Sequence, residues 1–231
     1  MAYFIRKNAV NQSSPLVSIS LPIYTFLWGN FLFFRGLKQI FSYFCKIYAN
    51  RNFMEYIKTE IAGLWIIKPK VFTDARGYFM ENYKKESFEQ QISKVDFVQD
   101  NESKSSFGVF RGFHYQEGDT AQAKLVRVIE GRVWDIAVDI RKNSPTFGKY
   151  YAIELSDENK KQLFISKGFA HGFLVLSKTA VFTYKVDNYY SPSTERTLNC
   201  FDPDIAIQWP IDKSLLKLSE KDKIGKSLKE I

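Results

Sequence analysis

From Met54 to the C-terminus, short runs of β-branched and aromatic residues alternate with Gly, Pro, Asn and Asp. Apolar runs of this length, punctuated in this way, predict strands and turns rather than long helices. LVRVIEGRVWDIAVDIR predicts two strands meeting about Gly131. In the second, a period of two puts Trp134, Ile136, Val138 and Ile140 on one face and Val133, Asp135, Ala137 and Asp139 on the other. YYAIELS, QLFIS, FLVLS and VFTYKVDNYY continue the series at the spacing of a sandwich or barrel. KKESFEQQIS predicts a short helix whose few apolar positions suffice for one buried edge. The tail DKSLLKLSEKDKIGKSLKEI suits a helical or irregular segment with its lysines in solvent, and no internal repeat is evident.

Upstream the pattern changes. Leu16 to Phe34, LVSISLPIYTFLWGNFLFF, lies in a charge-free run between Lys7 and Arg35 and is long enough to cross a bilayer. Pro15, Pro22 and Gly29 interrupt it, and no small-x-small cleavage site follows it. If it spans, four basic residues after it and two before it keep the C-terminal body in the cytoplasm. The competing expectation, and the one favoured, is that residues 1–53 are a dispensable extension and that translation starts at Met54. The chain therefore divides into 1–53, hydrophobic and basic, and 54–231, the working domain.

Composition sharpens this division. The 231 residues carry a formal charge of +8, which taken whole suggests nucleic acid or a membrane surface. Residues 1–53 hold six basic residues and no acidic one, so removing six from the 33 leaves 27 basic against 25 acidic residues in the body. A nearly neutral body argues against a nucleic-acid partner. Cys45 and Cys200, one on each side of the division, make no disulfide framework and no zinc spacing; a reducing cytoplasm fits.

The candidate chemistry is sparse. His114, in FRGFHYQ, is one of two histidines and shares strand parity with Gly112 and Gln116, a polar-lined rather than greasy face. His171 sits in KGFAHGF between Gly168 and Gly172, where close backbone approach or a tight turn is expected. Fifty-seven residues apart and without carboxylates at ligand spacing, the two do not suggest a metal centre. Tyr184 shares a face with Phe182 and Val186; on pattern alone it packs in a core, but in a barrel the core face is also the wall of a cavity. Arg76 lies in a turn where Asp74 is its natural local partner. Arg111 and Lys124 are cations on strand-like segments, costly unless they face solvent or an anion such as a nucleotide.

KVFTDARGYFMENY, VQDNESKS, RGFHYQ, AKLVRVIEGRVWDIAVDIRKNSPTFGK, LSDENKKQLFISKGFAHGFLVLS, YKVDNYYSPSTER and LSEKD occur in that order. Together they resemble the dTDP-4-dehydrorhamnose 3,5-epimerase family, whose product is the precursor of activated L-rhamnose, over Met54 to Lys226 and over none of residues 1–53. The resemblance implies a mainly β cupin jelly-roll barrel with short flanking helices. It implies no metal, no cofactor and a homodimer that shares strands across its interface. It implies epimerisation at C3 and C5 of dTDP-4-dehydro-6-deoxy-D-glucose, whose C4 ketone acidifies both protons.

Position by position, the resemblance implies that His114 is the base, Asp222 its carboxylate partner and Tyr184 the proton donor. Lys124 and His171 match residues lining the sugar site. Arg76, Phe79, Glu81, Gln99, Asn101, Arg111, Tyr190, Glu195 and Lys221 match positions that hold nucleotide, diphosphate or sugar. These residue types suit the chemistry: an imidazole titrates near neutrality, an aspartate on its second nitrogen fixes the tautomer, and a cation steadies the enolate. The chain departs from the family at Phe110 and Phe113, at Lys167, at Cys200-Phe201, and after Asp222, where alanine-proline is usual. The last puts the placement of Asp222 in question. A relative that epimerises one carbon or isomerises the ketone, and a cupin that binds without turnover, are the alternatives.

Overall fold

The computed structural model describes residues 53–231; the expectations for the apolar run 16–34 and for an extension ending at residue 53 fall, but for Phe53, outside the described residues. Among the described residues no helix is long and apolar enough to cross a membrane.

Thirteen strands form between Met54 and Thr197. They are β1 (Met54–Lys58), β2 (Leu64–Pro69), β3 (Val71–Asp74), β4 (Gly77–Met80), β5 (Gln99–Ser106) and β6 (Phe110–Gln116). β7 (Lys124–Glu130) and β8 (Arg132–Asp139) follow, joined at Gly131 as the sequence predicts. The rest are β9 (Tyr150–Ser156), β10 (Gln162–Ile165), β11 (Phe169–Val175), β12 (Thr179–Val186) and β13 (Glu195–Thr197).

Among the described residues, one sheet has six strands in the order β1-β2-β10-β7-β12-β5; the other has five, β13-β6-β11-β8-β9; and β3 and β4 pair only with each other. Neighbours in each are antiparallel. The mainly β jelly-roll class is as expected, built as two facing sheets; among the described residues no pairing closes them into one continuous barrel.

The period-two pattern explains the layers. Val126, Val128 and Phe182 of the six-stranded sheet meet Val133, Ala137 and Phe173 of the five-stranded one in a common core. The opposite parity of β8, Trp134, Ile136 and Val138, packs outward against Leu198, Ile205, Ile207 and Leu228 of the C-terminal segment. The tail is thus a cover for an apolar sheet face, held mainly by irregular backbone and one short helix, α2 (Glu220–Lys223).

The outer face of the six-stranded sheet is covered by α1 (Lys85–Gln91), which buries Phe88 alone. Its ring stands edge-on to Phe97 and Phe164 at centroid distances of 5.6 and 5.1 Å. Seven residues cannot sustain a helix unaided. The roughly 1.5–3 kcal/mol from burying one such ring is what docks it.

Candidate active site

At one end of the sandwich a cavity of about 500 Å³ opens between the sheets. The five-stranded sheet contributes Arg111 and His114 from β6 and His171 from β11; the six-stranded sheet contributes Asn101, Lys124 and Tyr184. Lys221 and Asp222 reach the cavity from α2. A smaller depression of about 300 Å³ on the outer face of the six-stranded sheet, around Arg127 and Lys185, holds none of these except Asn101, whose edge strand borders both.

In a regular strand Arg111 and His114 would point to opposite faces. They share the cavity because the β6–β11 ladder slips between His171 and Phe173, leaving His171 opposite His114 but Phe173 opposite Arg111. Gly112 makes the slip. Its φ is +147°, and a Cβ there would lie 2.5 Å from the Cα of Gly172 and 2.9 Å from the carbonyl oxygen of His171. Phe110, Phe113 and Tyr115 all turn to the outer core as a result. The strict alternation expected from sequence, with Gly112 on the His114 face, does not continue through this irregularity.

His114 Nε2 lies 2.6 Å from Asp222 Oδ1. Burial pushes the Asp222 carboxyl up, but hydrogen bonds from His114 and Ser219 and the charges of His114 and Lys221 outweigh it and hold it below its ordinary value. An ionised Asp222 can only accept, so the His114 hydrogen it meets is on Nε2, and the neutral form of the ring has its lone pair on Nδ1. The missing alanine-proline has therefore not displaced Asp222. Ser219 caps α2, its hydroxyl accepting from the Asp222 amide at 3.2 Å.

His171 donates through Nε2 to both oxygens of Asp135, at 3.1 and 3.0 Å, and both side chains are buried. Burial lowers the imidazole pKa; the carboxylate offsets only part of this. Lys124, only 9% exposed, opens β7 and has no carboxylate within ion-pairing distance among the described residues. Desolvation brings its ammonium down to about 8 against the pull of Asp135 and Glu195.

Tyr184 projects from the opposite sheet to His114. Burial raises its phenol pKa, with Arg111 opposing, so it remains protonated at neutral pH. Phe182, stacked on Phe173 at 4.0 Å, floors the space between. Arg111 is steered by its Nε donating to Ser105 Oγ at 2.9 Å.

Glu195 Oε2 accepts from the Tyr190 hydroxyl at 2.7 Å and pairs with Lys221. Burial raises the Glu195 carboxyl, yet these partners hold it below its usual value. Gln99 donates to the Asn101 side chain at 2.8 Å. Gln99, Tyr190 and Glu195 do not line the cavity themselves: Gln99 bonds to Asn101 and Glu195 to Lys221, which do, and Tyr190 bonds to Glu195. Arg76, Phe79 and Glu81 are neither in the lining nor bonded to it. They lie on the β3–β4 hairpin or just after it, with Phe79 66% exposed and Arg76 on its expected partner Asp74.

Sequence reasoning assigned no task to Asp135, Ser105 or Ser219. Asp135 had a usable signal: an acid on the face shared by Val133 and Ala137 is bound for the interior, where it demands a buried donor. Ser105 and Ser219 gave none, since serines are ordinary on strands and caps. Among the described residues no group of three or more His, Cys, Asp or Glu is placed to hold a metal ion.

A family model described as dTDP-4-dehydrorhamnose 3,5-epimerase matches residues 58–230. The chain belongs to that family. The dTDP-4-dehydrorhamnose 3,5-epimerase of Shigella flexneri is 55% identical over 170 residues, 73% of this chain and 93% of that one. A crystal structure of dTDP-6-deoxy-D-glucose-3,5-epimerase from Legionella pneumophila, in complex with dTDP-4-keto-L-rhamnose, is 47% identical with a TM-score of 0.74, covering 77% of this chain and 94% of the other. Among more distant members of the fold, a 3'-monoepimerase from Streptomyces bikiniensis in complex with dTDP-quinovose is 32% identical with a TM-score of 0.70, covering 75% and 87%.

Proposed function

We propose that this chain converts dTDP-4-dehydro-6-deoxy-D-glucose to dTDP-4-dehydro-L-rhamnose by inverting C3 and C5. The observation that carries this is the placement of His114 and Tyr184 on opposing sheets of one cavity, with Asp222 bonded to the imidazole and Lys124 in the same lining. His114 Nδ1 takes the proton next to the ketone, leaving an enolate whose charge on O4 is met by the Lys124 ammonium. Asp222 steadies the imidazolium that forms. The Tyr184 phenol returns a proton to the same carbon from the other face, and the enolate collapses to the ketone with inversion. Both protons at issue flank one carbonyl, so the same set serves each carbon in turn.

Arg111, Asn101, Gln99, Tyr190, Glu195 and Lys221 hold the nucleotide and diphosphate, and His171 with its Asp135 shapes the sugar pocket. Arg76, Phe79 and Glu81 serve the cavity of a second copy: the chain works as a homodimer in which each hairpin completes its neighbour's nucleotide site. The exposed Phe79, Tyr78 and Phe72 on that hairpin support this arrangement. The free buried thiol of Cys200 is in keeping with a reducing cytoplasm.

The test is isotopic. The full chain is incubated with the dTDP-4-keto sugar in deuterium oxide, and label is located by NMR. Deuterium at both C3 and C5 is expected. Label at C3 alone selects a single-carbon epimerase, as the Streptomyces relative is; absence of label at either carbon ends the epimerase reading.

A further inference from the structure

Asp222 is delivered to His114 by a segment with little rigidity of its own, since α2 has only four residues. Its position is imposed by two backbone clamps. Upstream, the Lys217 amide donates to the Gly108 carbonyl at 2.8 Å, and the Lys217 carbonyl accepts from Phe110 at 3.1 Å. Downstream, the Lys226 amide donates to the Thr197 carbonyl at 2.9 Å, and the Lys226 carbonyl accepts from Asn199 at 2.7 Å. Thr197 is the residue that faces His114 across the β13–β6 ladder. The downstream clamp therefore ties the acid's segment to the strand pair that carries the imidazole.

Gly225 sits inside this clamp. A Cβ on it would lie 2.7 Å from Asn199 N, 2.7 Å from Leu198 C and 2.9 Å from Leu198 O. All three are main-chain atoms that cannot swing aside. We propose that Gly225 is a positioning residue for the reaction: its bare α-carbon lets the tail lie flat on residues 198–199, and this sets the 2.6 Å contact between Asp222 and His114. The inference rests on the proposed roles of those two residues. A tail lifted by about 1 Å takes the carboxylate out of hydrogen-bond reach, and misplacement of that size can cost on the order of 100-fold in rate.

A double-mutant cycle on the full chain tests it. Gly225→Ala, Asp222→Ala and the double variant are compared by kcat and by deuterium exchange, with thermal melts alongside. Gly225→Ala is expected to lower kcat at least about 10-fold in the native background and by less than about twofold once Asp222 is alanine. Equal losses in both backgrounds, or no loss in the native one, overturn the proposal. If Asp222→Ala alone leaves kcat unchanged, the assignment of the pair fails and the positioning role falls with it. Should Gly225→Ala not fold, Asp202→Asn takes its place in the cycle. The Asp202 carboxylate accepts from the Leu228 amide at 2.6 Å and anchors the tail just beyond the clamp.

Discussion

His114 owes its role to what its second nitrogen touches. With Nε2–H committed to Asp222, the neutral ring has its lone pair on Nδ1, and His114→Ala removes the proton acceptor without disturbing the nucleotide side. Exchange at both carbons should fall by about 100- to 10,000-fold while dTDP affinity, measured calorimetrically, stays within a few-fold. Tyr184→Phe should preserve exchange of the abstracted proton with solvent but stop net inversion; normal yield of epimerised product contradicts a donor role. Lys124 makes a prediction of opposite signs. Its folded pKa of about 8 lies below the ordinary 10.5, so above pH 8 the ammonium is lost and kcat/KM should decline. Over the same window the unfolded chain binds the proton that the folded chain has released, so this site's contribution to stability rises with pH, by about 3 kcal/mol between 8 and 10.5. Cys200, Tyr56 and Tyr115, whose pKa values burial raises, act on stability with the opposite sign at alkaline pH. The check is therefore a difference: the melting temperature of the native chain should gain on that of Lys124→Met as pH rises, while kcat/KM of the native chain declines.

At the scale of the element, β6 shows what a sequence conveys and what it withholds. Alternation marked the strands: the two faces of β8 fall on the two cores as the period of two predicts, and the helix around Phe88 buries the single edge its composition allows. The slip at Gly112 was invisible, because a bulge depends on the register of a partner strand far along the chain. The motifs carried the candidates together, whereas pattern alone left His114 and Tyr184 as plausible core residues. Parity likewise could not show that Arg111 and His114 share a face, nor that Asp135 meets His171 across β8 and β11. Gly112→Ala tests the slip. A Cβ 2.5 Å from the Gly172 Cα, at a φ of +147°, should destabilise by about 2 kcal/mol or more in denaturant titration. It should also weaken dTDP binding, since Arg111 and His114 depend on the same distortion.

At the scale of the whole molecule, one chain gathers every residue proposed to move a proton around one cavity, but leaves Arg76, Phe79 and Glu81 away from it. Among the described residues, Arg76 and Phe79 project on a hairpin paired with no other strand, while β5, which carries Asn101, is an edge of the six-stranded sheet. If hairpins are exchanged between copies, Phe79→Ala should raise KM about tenfold or more with little change in kcat. An equal mixture of Phe79→Ala and His114→Ala chains, unfolded and refolded together, should regain native-like KM in about one site in four. Purely additive kinetics from the mixture would argue for self-sufficient chains. The separation of 108 residues between His114 and Asp222 has a consequence for how the enzyme comes into being. The acid's segment is seated on Gly108, Thr197 and Asn199, so the acid is expected to meet the imidazole only once β13 has paired with β6, and turnover should be among the last properties to emerge during folding. Recovered activity after dilution from denaturant is then a clock for final closure, ticking later than any spectroscopic sign of sheet formation.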